Sequence, residues 1–284
     1  MQNSTAMVAN VSLVIVRRKN YGTWIAAAVA AAIALYVVAG LAVNPAMHWD
    51  VVATYLFSAA ILGGLATTLW IALVVTFVGL AGGFVIALMR VSSNPLLSWL
   101  AQSFILLFRA VPALVWLLFW YFIALLVPVI SIGIPFGPTF YSAQTNDVFG
   151  QMGAAIIGLG LVASAYMAEI IRGGILSVGK GQTEASKALG IPPTKTMFVI
   201  VLPQALRSII PAFANELINI LKGTSLLIII GVPELMTVAQ DIYTANFQQI
   251  PLLTVVCFWY LVICGLLGVV QNRLEKHINK GVAR

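Results

Sequence analysis

Six stretches of this chain run for about twenty residues with few charges, the length of helix that crosses the hydrocarbon core of a bilayer. They are Trp24 to Val43, Gly64 to Met89, Leu96 to Leu126, Met152 to Ile171, Ser208 to Ile230 and Leu252 to Val270. Backbone in hydrocarbon must satisfy its own hydrogen bonds, so each stretch is expected to be helical and the fold all-α. The third is longer than one crossing requires, so part of it is expected to tilt or to leave the core. Trp49 to Leu62 is apolar but short, and reads as an interfacial helix leading into the second span. Composition supports this reading. The chain is 61% hydrophobic and 8% charged, whereas a soluble domain carries about 25% charged residues, so the excess apolar surface must face lipid.

The connections set the expected orientation. Arg17, Arg18 and Lys19 precede the first span, and Arg90 follows the second. Arg172, Lys180, Lys187, Lys195 and Arg207 follow the fourth, and Arg273, Lys276, Lys280 and Arg284 follow the sixth. The connections after spans one, three and five hold no Lys or Arg and carry Asp50, Asp147, Glu234 and Asp241. The positive-inside rule then places both termini in the cytoplasm, which an even number of spans satisfies. The N-terminus does not read as a cleaved signal, because its apolar stretch is too long for an h-region. Val127 to Gln151, rich in Pro, Gly, Ser and Thr, is expected to be an outer loop with one helical turn at most. Gly231 to Ile250 is expected to include a short helix.

Several familiar chemistries are excluded. The net charge of +7 is dispersed along the chain and makes no stripe for nucleic acid. Cys257 and Cys264 are seven residues apart on one apolar segment, about 10 Å of helical rise, too far for a disulfide. Gly174, Gly179 and Lys180 imitate a phosphate-binding loop, but Gly181 stands where a metal-binding hydroxyl belongs and no strand precedes it. Gly158, Gly160 and Ala163 lie mid-span, where small residues serve helix packing, as do Gly79 and Gly83. His48 and His277 fall outside the spans, so no intramembrane histidine serves a hydrolase or a metal. No enzymatic activity and no bound cofactor or metal is expected of this chain.

The connection between spans four and five, GGILSVGKGQTEASKALGIPPTKTMFVIVLPQALRSIIP, holds the most specific pattern. Thr183 can cap a helix with Glu184 in its first turn, and Gly190 followed by Pro192 and Pro193 ends it. A helix of about two turns outside the bilayer is too short to be stable alone, so something must pack against it. Glu184-Ala185-Ser186, then Gly190, then Ile200, Leu202 and Pro203 resemble the EAA signature of bacterial ABC importer permeases at every spacing. Ser186 replaces the second alanine, a small-for-small change that leaves room for a partner surface. The stretches ILGGLATTLW, Arg109 to Pro112, YMAEIIRGGI, GQTEASKALG, LPQALRSIIPAFANELINILKGTSL and Pro233 to Leu235 are similar to permeases of polar amino-acid importers. Gly223 stands where many relatives carry an acid, and the first span looks like an addition to a five-span pattern.

The resemblance implies a type I importer-like permease fold in a bacterial cytoplasmic membrane. It divides the chain into residues 1–62 (tail, extra span and interfacial segment), a permease core at 63–271 with a coupling helix near 183–190, and a basic tail at 272–284. It implies that Glu184, Ala185, Ser186, Gly190 and Pro203 couple to a separate cytoplasmic ATPase dimer, where ATP and Mg bind. It also implies a second permease subunit, identical or similar, and an extracytoplasmic solute-binding protein. The solute is expected to be a polar amino acid, with an opine or compatible solute as the alternative. An ion-coupled secondary carrier is the competing class, but no internal repeat of the kind common there is evident.

Ionisable groups at bilayer depth are costly and commonly functional. Asn215, Glu216, Asn219 and Lys222 form a stripe on span five, with Thr224 and Ser225 following on the same span. The stripe either lines a path for a zwitterionic solute or hydrogen-bonds across a permease dimer. Glu169 and Arg172, at i and i+3, are expected to form a local ion pair, with substrate contact as the second reading. Arg109 either snorkels to the inner interface or neutralises a substrate carboxylate. Pro112 and Pro211 are expected to bend their helices.

Overall fold

A computed structural model of the chain describes residues 21–134 and 137–278. Arg17, Arg18, Lys19, Lys280 and Arg284 lie outside the described residues. The chain forms two compact units, Met1–Met47 and His48–Arg284. In the first, α1 (Tyr21–Val43) is apolar on every side and buries none of its residues, with Trp24 76% exposed. An all-apolar helix that finds no protein to cover it is what a lipid-facing span requires.

The second unit begins at His48. The reason is α2 (Trp49–Leu56), whose Val52 joins a core with Ile61, Leu65, Leu235, Leu252 and Val255. The element order continues with α3 (Ala59–Val91), α4 (Pro95–Ala110), α5 (Ala113–Tyr121), β1 (Val129–Gly133), β2 (Thr139–Gln144), α6 (Thr145–Val148) and α7 (Gln151–Ser177). Then come α8 (Lys180–Ala188), α9 (Pro193–Thr196), α10 (Leu202–Gly223), α11 (Leu235–Asn246) and α12 (Gln249–Ile278). Among the described residues five helices are long and apolar enough to cross a membrane, and α4 with α5 makes a sixth if a bent pair is one span.

That bent pair refines the expectation for the third stretch. Its two halves meet at 98°. Pro112 lacks the N–H that would continue α4, and its ring drives the preceding Val111 out of helical geometry, to φ −98 and ψ 135. Pro211 acts differently, since α10 continues through it as one helix. The connection expected to be a loop contains an antiparallel hairpin, β1 with β2, pairing Val129 with Gln144 and Ile132 with Tyr141. The fold of the described residues is therefore mainly helical with one small hairpin.

Small residues hold the bundle together. Gly79, Gly82 and Gly83 of α3 face Ala163, Ser164 and Met167 of α7, so the two helices approach nearly backbone to backbone. A Cβ on Gly79 would lie 2.7 Å from that of Ala163. Gly158 likewise rests on the backbone of Leu117, 3.1 Å from a built Cβ. Around these seams Ile71, Val75, Leu117, Leu159, Met167 and Leu227 form the central core. Of the two cysteines, Cys264 packs against this core and Cys257 is exposed; neither is in a disulfide.

Glu234 is the polar exception. It is fully buried and caps α11, its carboxylate accepting the Thr237 N–H at 2.8 Å and the Thr237 hydroxyl at 3.0 Å. The hydroxyls of Thr68 on α3 and Tyr260 on α12 donate to its other oxygen at 3.4 and 3.5 Å. Thr68 in turn accepts the Leu235 N–H at 3.1 Å. One carboxyl thus ties three helices. Burial pushes it above the ordinary carboxylate range, against the opposing hydrogen bonds to its ionised form. A carboxyl raised in the folded state contributes stability below its unfolded value, about 4.3, and loses that contribution as pH rises through the folded value. Glu234→Gln is therefore expected to flatten the pH dependence of unfolding between those two values, as followed by thermal melts in detergent across pH 4 to 8.

Candidate functional site

The connecting segment after α7 is built from three local devices. Helix α8 starts at Gly179, with no side-chain cap, where Gln182 N–H bonds to Gly179 O at 3.0 Å. Its cap therefore falls four residues before the expected one, and Thr183 lies within the helix. Its end matches expectation. Gly190 has φ +69, Gly190 N–H bonds to Lys187 O at 3.0 Å and Ile191 N–H bonds to Ser186 O at 3.0 Å. This paired closure, a Schellman motif, requires the left-handed conformation that glycine adopts without strain.

The third device explains the distal half of the signature. Met197–Val201 form one π turn, in which Leu202 N–H reaches back five residues to Met197 O. Pro203 follows after Leu202. It has no N–H for the carbonyl of Val199, and its ring would crowd that carbonyl in α geometry, so the wider turn relieves it. Gln204 Nε2 then donates to Ile200 O at 2.8 Å.

On α8 only Ser186 is buried, at 2% exposure, its hydroxyl bonded to Gln182 O at 2.7 Å. Ser186 is small because its own chain covers it. Glu184, Ala185 and Lys187 are exposed, Leu189 is 78% exposed, and Pro203 is exposed. A nine-residue helix with one buried side chain has almost nothing inside the chain to hold it, and its outward face is open.

Two of the cavities on the described residues hold ionisable groups. The first, of about 300 Å³, is lined by Glu216, Asn219 and Gly223 of α10, Tyr166 and Leu159 of α7, and Ala113 of α5 among others. Asn219 Nδ2 donates to Glu216 Oε2 at 3.4 Å. The second, of about 500 Å³, brings together Arg90, Arg109, Tyr166, Glu169 and Arg172. Here Arg172 clasps Glu169 with two bonds, at 2.8 and 2.7 Å. Arg109 stands 3.8 Å from the same carboxylate, with its guanidinium 5.1 Å above the Tyr166 ring. The expected ion pair therefore exists with a third member, and Arg109 turns to Glu169 and Tyr166.

The stripe on span five divides. Glu216 and Asn219 face the first cavity, whereas Asn215 and Lys222 are exposed and do not line it. Thr224 is fully buried and gives its hydroxyl to Leu221 O at 2.8 Å, and Ser225 gives its own to Lys222 O at 2.7 Å. Both serve the turn that ends α10 and do not join the candidate path, because short hydroxyls satisfy nearby carbonyls first. Sequence reasoning missed Tyr166, which shares one helix face with Glu169 and Arg172 at intervals of three. It also missed the burial of Glu234, which caps α11 although glutamate is not a favoured residue type at that position.

The family model of the binding-protein-dependent transport system inner membrane component matches residues 79–280. The chain belongs to this family. It is a permease subunit of an ABC importer, embedded in the inner membrane, and a transport component rather than an enzyme. The permease is 40% identical over 265 residues to the arginine transport system permease protein ArgU of Corynebacterium glutamicum, covering 93% of this chain and 82% of that protein. It is 34% identical over 219 residues to the glutamine transport system permease protein GlnP of Escherichia coli K12, covering 76% and 91%. Among solved structures, an amino acid ABC transporter crystallised with histidines matches at TM-score 0.66 and 29% identity, over 77% of this permease and 94% of that chain. The methionine transporter MetNI, inward facing, matches in fold at TM-score 0.57 and 20% identity. The permease thus has the helical frame of its family, and α8 with its glycine stop occupies the place of the EAA segment named from sequence.

Proposed function

We propose that this permease passes a polar amino acid into the cytoplasm, in a complex with a second permease subunit, a cytoplasmic ATPase dimer and an extracytoplasmic solute-binding protein. Both termini and α8 lie on the cytoplasmic side in this reading, as the Lys and Arg distribution favours. The observation that carries it is α8 itself, a rigidly capped helix that exposes nearly all of its surface beside the π turn. The ATPase grips that helix, and nucleotide-driven movement of the grip is passed to α7 and α10, which flank it. ATP and Mg bind on the ATPase, and no cofactor is assigned to this chain.

The first cavity supports the substrate class. Its volume of about 300 Å³ lies at the small end of ligand sites, which run from about 300 to 1,000 Å³. Glu216 supplies a carboxylate for an ammonium group, Asn219 a neutral amide, and the remaining wall is largely apolar. The names of related proteins, for arginine, glutamine and cystine transport, support the same class.

Proteoliposomes holding the complex and its binding protein test the reading. ATP inside the lumenal ATPase compartment is expected to drive uptake of a labelled polar amino acid, competed by others of its class. Glu216→Gln is expected to raise KM roughly tenfold, the loss of one charge-assisted contact. Uptake that persists without ATP and follows an ion gradient would overturn the assignment in favour of a secondary carrier. Competition by opines or compatible solutes alone would overturn the amino-acid class.

A further inference from the structure

The proposed cycle leaves the arginine-lined cleft without a task. Three guanidiniums from three helices, Arg90 of α3, Arg109 of α4 and Arg172 of α7, face one cavity of about 500 Å³. A single carboxylate stands among them. Arg172 occupies both oxygens of Glu169, at 2.8 and 2.7 Å, so that carboxylate is largely spent. Arg109 lies 3.8 Å from it with 42% of its side chain exposed. Arg90 donates to the Ser98 hydroxyl at 2.8 Å and has no ion pair among the described residues. Ser98 in turn donates to Arg90 O at 3.2 Å, so the start of α4 fixes the arginine in place.

Two positive charges therefore stay unmatched in a concave space. Planar guanidiniums converging from different helices match the tetrahedral oxygens of a phosphate, which accepts several N–H bonds at once. One wall of the cleft is apolar. Leu106 of α4 lines it and is 68% exposed, so apolar surface flanks the mouth of the cavity. Arg90 sits in the last turn of α3, where the span leaves the hydrocarbon. Basic pockets between membrane helices at that level, with an apolar flank for the acyl chains, hold anionic headgroups.

We infer that this cleft is a binding site for a phosphate group, supplied by the phosphodiester headgroup of an anionic lipid or by free phosphate. An occupant bridges α3 and α4 to α7 through Arg90, Arg109 and Arg172. It does so close to where α7 runs into α8, so occupancy stiffens the root of the ATPase-facing segment.

The test uses the permease with its ATPase subunits, purified in neutral detergent. Short-chain phosphatidylglycerol, short-chain phosphatidylcholine and inorganic phosphate are titrated separately, with binding read by native mass spectrometry and thermal shift. Phosphatidylglycerol is expected to bind and phosphatidylcholine not to. Arg90→Gln is expected to weaken phosphatidylglycerol roughly fivefold to tenfold, Arg90→Lys to restore most of that loss, and Arg207→Gln, an exposed cation on α10, to change nothing. Inorganic phosphate binding with the same sensitivity to Arg90→Gln supports the site and makes the soluble anion its source. Equal binding of the two lipids, or no effect of Arg90→Gln on any probe, overturns the proposal. So does an Arg90→Lys variant as weak as Arg90→Gln, since the loss would then be structural.

Discussion

Glu184→Lys is expected to cut ATP-driven uptake by roughly tenfold to a hundredfold while the permease still inserts and folds, the range of a lost coupling free energy between two sites. Glu184 is exposed on α8, so reversing its charge disturbs a partner surface and leaves the chain's own packing untouched. Gly190→Val reaches the same end by another route. No neighbour within 4 Å blocks a side chain there, but φ is +69, and the left-handed region costs a residue with a Cβ about 1–2 kcal/mol. A β-branched residue is worse placed still. The helix end would unwind and release the Schellman bonds to Ser186 and Lys187. Gly190→Asn, which tolerates that region, is expected to keep most activity. Membrane-fraction yield, ATPase rate and uptake are measured together. Normal uptake by a well-inserted Glu184→Lys permease would remove α8 from the coupling path.

The second large effect falls on the seam between α3 and α7. Gly83→Leu is expected to abolish folded protein in the membrane. A Cβ there would lie 2.5 Å from Met167 Cβ and 2.9 Å from the backbone nitrogen of Ala168. A backbone atom cannot rotate away, so the helices must separate along a buried face that also holds Ala87, Ala163 and Ala168. Overpacking of a tight core costs about 1–3 kcal/mol for added methylenes and more where no rotamer escapes. Gly63→Ala on the same helix is the control. Nothing lies within 4 Å of its Cβ position, so the change is expected to be neutral or to stabilise by up to about 1 kcal/mol through helix propensity. Detergent melting and size-exclusion profiles distinguish the two. A Gly83→Leu protein that melts like the parent would show that the helices are not so closely apposed.

The spans were legible because each depends only on local apolar length, which the bilayer thickness turns into a strong signal. The glycine stop of α8 was legible for a related reason, since Gly190 before Pro192 and Pro193 is a local instruction. The start of α8 was not. Thr183 is a good cap in isolation, but the chain begins the helix at Gly179 with backbone bonds alone. Pro112 announced a bend, while its size of 98° depends on how α4 and α5 each pack on α7. The hairpin was hidden because its strands carry little alternation between the prolines and glycines around them. Glu234 was read as an acid in an outer connection, since its partner Thr68 lies 166 residues away and only the folded chain joins them. The settings of Ser186 and Thr224 were hidden for a shared reason: only the fold shows that each small hydroxyl is taken up by a carbonyl about a turn away.

The π turn at Met197–Val201 acts as a phase setter between the surface segment and the membrane. One surplus residue in a turn advances everything after it by about 100° of azimuth, the angle of one α-helical residue. The direction in which α10 aims Glu216 and Asn219 is therefore written upstream of α10, beside Pro203. Trimming that turn by a single residue would leave composition and hydropathy almost unchanged, yet swing the polar edge of α10 toward a different neighbour. In the proposed cycle, the side of α10 that would meet solute and the segment that would meet the ATPase are joined through the same five residues.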